Sequence, residues 1–473
     1  MNAKKLTNVL GGFNLKKRLL ISLAVIVALS MVLAACSKSN NSQPAASPGN
    51  VSSSGSNNES SAGQKDITID FWIGPTYKNV EGTPSEEFGD YEQAMIDEFQ
   101  KQNPNIKVNL QLIGWTDIEQ KITVALAGDN QPDIILEALD RRLSKYQRTG
   151  KMEDISDFYD PSQFHDAFMD SMMMDGGIYG IPISMNPEAV FLNKTIFKNK
   201  GLEHLIPADR DWTFDEVKAA LEQVTGDGVY GTVFFAANEQ GDENILSYYF
   251  GMGGEQWNAE ETQVVMDQYS EAEEFVQMMK DMVDRGIAAP GPASTDVLAA
   301  LELFKQGKVA MFPFAVSLYS TIEAGKADGS ALPDLELYAI KPLHKEGVQQ
   351  KATIAGIHGY GVFKQSDPEK REAIKKFVQF MTTPENIKLM AKSGGYMPSH
   401  KDASYELDNE DFNAIMKELS TLPAANLGKK SEGYNEVRVM WFPELQAALS
   451  GKKTPKQAIE DYAKKANDFL NSL

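Results

Sequence analysis

The chain has 473 residues, a formal net charge of −20 and a single cysteine. So acidic a balance excludes electrostatic capture of nucleic acid or of an anionic lipid surface, because both repel it. One cysteine excludes a disulfide framework and paired-cysteine zinc sites.

At the N-terminus, Lys16, Lys17 and Arg18 precede an apolar run from Leu19 to Ala35, the layout of a secretory signal. The run is near the lower limit for spanning a bilayer, so a retained anchor is the alternative. Leu33-Ala34-Ala35-Cys36 resembles the bacterial lipobox, in which the cysteine is lipidated and becomes the new N-terminus. This resemblance implies a signal peptide over 1–35, a diacylglyceryl and acyl anchor on Cys36, and no free thiol. Stable anchoring takes two chains or signals, which that group supplies. Cleavage removes five cations (Lys4, Lys5, Lys16, Lys17 and Arg18) and no anion, taking the charge from −20 to −25. Residues 36–65, rich in Ser, Asn, Gly, Ala and Pro, read as a flexible tether.

The rest of the chain is longer than a single core usually grows, so two domains are expected. "ITIDFW" (67–72) alternates apolar residues as a strand with one buried face. Tyr91, Met95 and Phe99 recur at helical spacing, and this helix stops at Asn103-Pro104. "IKVNLQLI" (106–113) alternates as a second strand, "TDIEQKITVALAG" (116–128) reads as a helix closed by Gly128, and "PDIILEA" (132–138) as a buried strand. Strand and helix in alternation indicate an α/β fold with a largely parallel sheet. Thr213–Glu216 has capping-box spacing. Asp367-Pro368, Thr383-Pro384 and Thr454-Pro455 place a polar cap before a proline suited to the first helical position. "LELYAIKPL" (335–343) and "ATIAGIHGYGVF" (352–363) return to strand pattern.

Chemistry-bearing motifs are missing. There is no phosphate-binding loop, no GxSxG elbow and no HExxH, and the five histidines are scattered. No metal site, cofactor or catalytic residue is expected, and nothing in the pattern calls for an enzyme.

Residues 66–473 resemble the extracellular solute-binding proteins of carbohydrate ABC importers, of the maltose-binding type. The stretches that carry this are "MIDEFQKQNPNIKVNLQ", "ALAGDNQPDII", "IYGIPISMNPEAVFLNK", "LFKQGKVAMF", "GYGVFKQSDPEKREAIKKFVQFMTTPENIKLM" and "PELQAALSGKKTPKQAIEDYAKKANDFL", in order behind the lipobox. The resemblance implies a two-lobed α/β clamp, each lobe a mainly parallel sheet flanked by helices. Lobe one is expected over 66–182 plus 357–400 and lobe two over 183–356 plus 401–473. It further implies a carbohydrate ligand held without chemistry, delivery to membrane permease subunits, and a monomer held to the outer face of the plasma membrane only by its lipid.

A sugar offers weakly apolar C–H faces and an equator of hydroxyls, so flat aromatic rings and planar polar groups are what should meet it. Trp72 and Trp115 follow from position, at the carboxyl ends of the first two strands, where open α/β sheets leave a crevice. Trp257, Trp441, Glu137, Asp140 and Asn186 match segments that line the family's cleft. His358 and Tyr360 lie in "GIHGYG" at an expected crossing, and Tyr77 lies in the loop after the first strand. "GKVAMFPFAVS" lacks the tryptophan found in maltose-type relatives, leaving Phe314 and Ser317 in its place. Trp212, ahead of a capping box, reads as structural. The alternatives are a surface enzyme that degrades polysaccharide and a clamp for a non-sugar solute.

Overall fold

The structure is a computed structural model that describes residues 65–473; the expected signal, Cys36 and the tether up to residue 64 lie outside the described residues. The first lobe begins with three strands, β1 (Ile67–Ile73), β2 (Ile106–Leu112) and β3 (Ile134–Ala138), in the order β2-β1-β3 and all parallel. In β1 the alternation seen in the sequence becomes burial: Ile67, Ile69, Phe71 and Ile73 point inward while Thr68 and Asp70 face water. Parallel neighbours need a crossover, and the helices Asp90–Gln102 and Trp115–Ala127 supply the two connections.

After a small hairpin of β4 (Met173–Met174) and β5 (Gly177–Ile178), the chain enters the long strand β6 (Gly180–Asn193). The second lobe adds β7 (Tyr230–Thr232), β8 (Val309–Ala315) and β9 (Leu337–Ile340); the chain returns through β10 (Ile354–Val362) and β11 (Met397–Pro398). β6 changes partners along its length. Up to Pro187 it pairs antiparallel with β10 and β11, and from Glu188 onward with β8 and β9. β10 continues the first sheet by pairing antiparallel with β3, and β7 runs parallel to β8. Each lobe thus builds on parallel strands, and the strands that pass between lobes join them antiparallel.

In each lobe the sheet is covered on both faces. In the first lobe one apolar layer contains Ile69, Phe71, Tyr360 and Phe377, and the opposite layer Ile122, Leu139, Met172 and Phe363. In the second, successive residues of β6 part to opposite faces: Leu192 joins Trp212, Tyr249, Phe275 and Trp441, while Phe191 joins Phe304, Phe312 and Tyr319. The helix starts are those expected. Thr213 and Glu216 close a reciprocal capping box, and Asp367, Thr383 and Thr454 each cap a helix whose first residue is proline. Among the described residues no helix is long and apolar enough to cross a membrane.

Candidate functional site: the cleft between the lobes

The crossing strand carries the site. Because side chains alternate along a strand, Ser184, Asn186 and Glu188 share one face of β6, and Met185 and Pro187 the other. Ser184 Oγ lies 2.9 Å from Tyr77 Oη and 3.2 Å from His358 Nδ1. Asn186 donates to Ser317 Oγ at 3.1 Å and accepts from the Ser317 amide at 3.3 Å. Glu188 accepts from Asn244 at 2.8 Å and from Thr353 Oγ1 at 3.2 Å. This polar row runs without interruption from the first lobe to the second.

An aromatic wall stands at its first-lobe end. The His358 ring lies 5.0 Å from Tyr396, 6.0 Å from Tyr77 and 6.4 Å from Trp115, with the Trp115 ring inclined only 28° to it. Of these, Trp115 alone remains exposed, at 39 %, and offers the flat face that sugar C–H groups can cover. Its position depends on Gly74: a Cβ there would sit 2.5 Å from two Trp115 ring atoms. Burial pushes His358 down to about 4, so its imidazole is neutral at physiological pH and can exchange either tautomer with Ser184.

Charged groups close the far side. Arg141 reaches Glu243 of the second lobe and the carbonyl of Ala355. Asp140 accepts from Lys429 at 2.6 Å and from the Ile357 amide at 2.8 Å. Arg438 bonds Asp242 at 2.9 Å and the Glu239 carbonyl at 2.8 Å. Burial, reinforced by Glu243 nearby, pushes Glu188 well above the ordinary carboxylate range. Burial raises Glu243 likewise, whereas the Arg438 guanidinium overcomes burial and holds Asp242 low.

Of the residues expected from sequence, Tyr77, Trp115, His358, Asn186 and Ser317 lie on this row or its wall, and Asp140 lies beside it. Trp72 is half-buried under the Lys121 ammonium, 5.1 Å from its ring. Phe314 stacks on Phe312 at 5.2 Å. Four expected residues are interior. Glu137 is fully buried and committed to Arg142 at 2.5 Å and Tyr146 at 2.6 Å. Tyr360 is fully buried, 5.8 Å from Phe71. Trp441 packs on Tyr462 at 5.1 Å, inside the second lobe. Trp257 is also buried, its ring so close beneath Gly428 that a Cβ there would lie 2.2 Å from it. The sequence reading passed over Ser184, Glu188, Arg141, Asn244, Arg438 and Tyr396. A signal for two of them existed: in "GIPISMNPEAVFLN" the polar residues Ser184, Asn186 and Glu188 recur at every second position of an apolar strand.

Two α/β lobes that face each other across an aromatic and polar cleft, joined by a shared strand, define a solute-binding clamp. The chain belongs to the bacterial extracellular solute-binding proteins, whose family profile matches residues 94–416. That membership places it on the periplasmic or extracellular side of the cell membrane. The maltodextrin-binding protein of Bacillus subtilis is 24 % identical over 490 aligned positions, covering 97 % of each chain. Among solved structures, an ABC substrate-binding protein of Listeria monocytogenes in complex with cycloalternan superposes with a TM-score of 0.69 at 21 % identity, covering 86 % of this chain and all of the other. A solute-binding protein of Thermotoga lettingae bound to α-D-tagatose gives 0.70 at 19 % identity, with the same coverage.

Proposed function

We propose that this protein captures a sugar or oligosaccharide in the cleft and hands it to the membrane permease of an ABC importer, without chemical change to the ligand. The observation that carries this reading is the exposed face of Trp115 together with the half-buried Asn186 on the crossing strand: a flat apolar surface and an amide that both donates and accepts. The protein works as a lipid-anchored monomer, held through Cys36 to the outer face of the plasma membrane.

Lobe one (66–182 plus 357–400) and lobe two (183–356 plus 401–473) move as two bodies; the partner change in β6 between Pro187 and Glu188 supports a hinge there. A ligand that touches both lobes only when they close stabilises the closed state by its difference in affinity for the two. Arg141 with Glu243 and Asp140 with Lys429 join the lobes around it.

A thermal-shift screen of the full chain against mono- and oligosaccharides tests the proposal. A ligand at a hundred times its dissociation constant adds about 2.7 kcal/mol of stability. A panel in which no sugar raises the melting temperature, while an amino acid or peptide does, overturns it. So does cleavage of any saccharide by the pure protein.

A further inference from the structure

The face of β6 and β10 opposite the cleft borders a second cavity, of about 490 Å³. Its wall is apolar: Phe168, Ile357 and Met397 come from the first lobe, Met185 from the part of β6 that crosses between the lobes, and Phe412 and Met416 from the helix Glu410–Leu419. The lining also holds the cations Lys401 and Lys417 against a single acid, Glu406; His165 and His400 line it too, and burial lowers the pKa of both. In a protein of net charge −20, a basic rim around an apolar hollow is a local inversion of the surface. Among the described residues Lys417 takes part in no ion pair, and the Lys401 ammonium bonds only a backbone carbonyl, that of Ser162, at 2.8 Å.

We propose that this cavity is a second binding site, and that it takes an amphipathic monoanion: an apolar, ring-containing body with one acid group. The body fills the hollow, where three methionines adapt to its outline, and the acid group meets Lys401 and Lys417 at the rim. The charge pattern, rather than the hollow alone, selects this class over a neutral apolar molecule or a second copy of the chain.

The site is coupled to the cleft because the two share backbone. Ile357 lines the cavity while its neighbour His358 lines the cleft; Met185 and Pro187 line the cavity while Ser184, Asn186 and Glu188 line the cleft. Tyr405, also on the cavity wall, donates to the carbonyl of Tyr396 at 2.5 Å, and the Tyr396 ring packs on His358. Wherever the occupant binds this conformation, in which Arg141 and Glu243 hold the lobes together, more tightly than an open one, it favours closure. By linkage, a cleft ligand then tightens the occupant by the same factor that the occupant tightens the ligand.

Anilinonaphthalene sulfonate, a ring body with one sulfonate, is the probe. Titrated into the folded full chain without any sugar, it is expected to bind once per chain with enhanced fluorescence. The paired change Lys401→Glu with Lys417→Glu is expected to weaken it about tenfold or more, and Met416→Trp to abolish it by filling the hollow. Circular dichroism and melting temperature certify that each variant is folded. Equal affinity in the charge-reversed variant overturns the proposal. So does equally tight binding of the uncharged N-phenylnaphthylamine, which makes the occupant a neutral apolar molecule. A chain that sediments as a dimer until Met416→Trp separates it also overturns it. Because the titration contains no sugar, its result is independent of whether the cleft reading holds.

Discussion

The rings of Trp115 and His358 lie 6.4 Å apart and 28° from parallel, one at the start of the helix after β2 and the other in β10. Only the tryptophan is open to solvent, so its outer face is free for a ligand while its inner face is fixed. Trp115→Ala is therefore expected to weaken sugar binding about tenfold or more while the melting temperature barely moves. A stacked aromatic contributes about 0.5–1.5 kcal/mol beyond the area it covers, whereas exposed substitutions usually stay within about 0.5 kcal/mol of stability. Calorimetric titration beside thermal unfolding separates the two. A large loss of stability with unchanged affinity would make Trp115 a packing residue.

Gly74→Ala tests the same ring from below. The added methyl enters the space of the Trp115 ring, which can swing outward because its outer face is in water. The expected result is a folded protein with weaker sugar binding and altered tryptophan fluorescence. Full affinity with an unchanged spectrum would show that the ring's placement does not matter.

The lobes are joined by charge at Asp140 and Lys429, 2.6 Å apart, with the Asp140 side chain 3 % and that of Lys429 15 % exposed. Breaking a buried pair from one side costs about 3–5 kcal/mol, because the remaining charge has no partner. Lys429→Met is expected to fall in that range and to enlarge the ligand-free protein in small-angle scattering, as the lobes part. Adding Asp140→Asn should recover most of the stability, since neither charge then stays behind. Additive losses in the double variant would mean that the two residues do not act as a pair.

Much of the fold was legible because local rules decided it. The alternation of Ile67, Ile69 and Phe71, the stop at Asn103-Pro104 and the proline-led caps at Asp367, Thr383 and Thr454 depend on neighbours in sequence alone. What joins the lobes is different in kind: β6 finds β10 and β8 across long stretches of chain, and no short window records that pairing. The cleft was legible where geometry was local. Trp115 sits where the crevice end of a sheet should be. Trp441 misled because the helix Tyr434–Leu449 carries apolar side chains on more than one face, and its burial against Tyr462 is decided by the helix Pro455–Leu470. Glu188 was hidden because "NPEA" resembles a turn, although it lies within an unbroken strand.

Two buried groups of the first lobe set opposing pH dependences. Glu92 is 1 % exposed, neither carboxylate oxygen has a hydrogen-bond partner, and burial pushes it from 4.5 up to about 7. His358, also buried, is pushed from 6.5 down to about 4. Between about 4.5 and 7 the folded state keeps a proton on Glu92 that the unfolded chain has released, so this residue makes stability fall as pH rises. Between about 4 and 6.5 the unfolded chain binds a proton on His358 that the folded state refuses, so this residue makes stability fall as pH drops. Each slope is about 1.4 kcal/mol per pH unit, and from about 4.5 to 6.5 the two offset each other. Urea unfolding at half-unit pH steps reads them apart. Relative to the parent, Glu92→Gln is expected to gain stability as pH rises from 4.5 to 7, by about 3 kcal/mol in all. His358→Asn is expected to gain relative to the parent as pH falls from 6.5 to 4. Parallel profiles for parent and Glu92→Gln would show that Glu92 titrates normally and that water reaches its carboxylate.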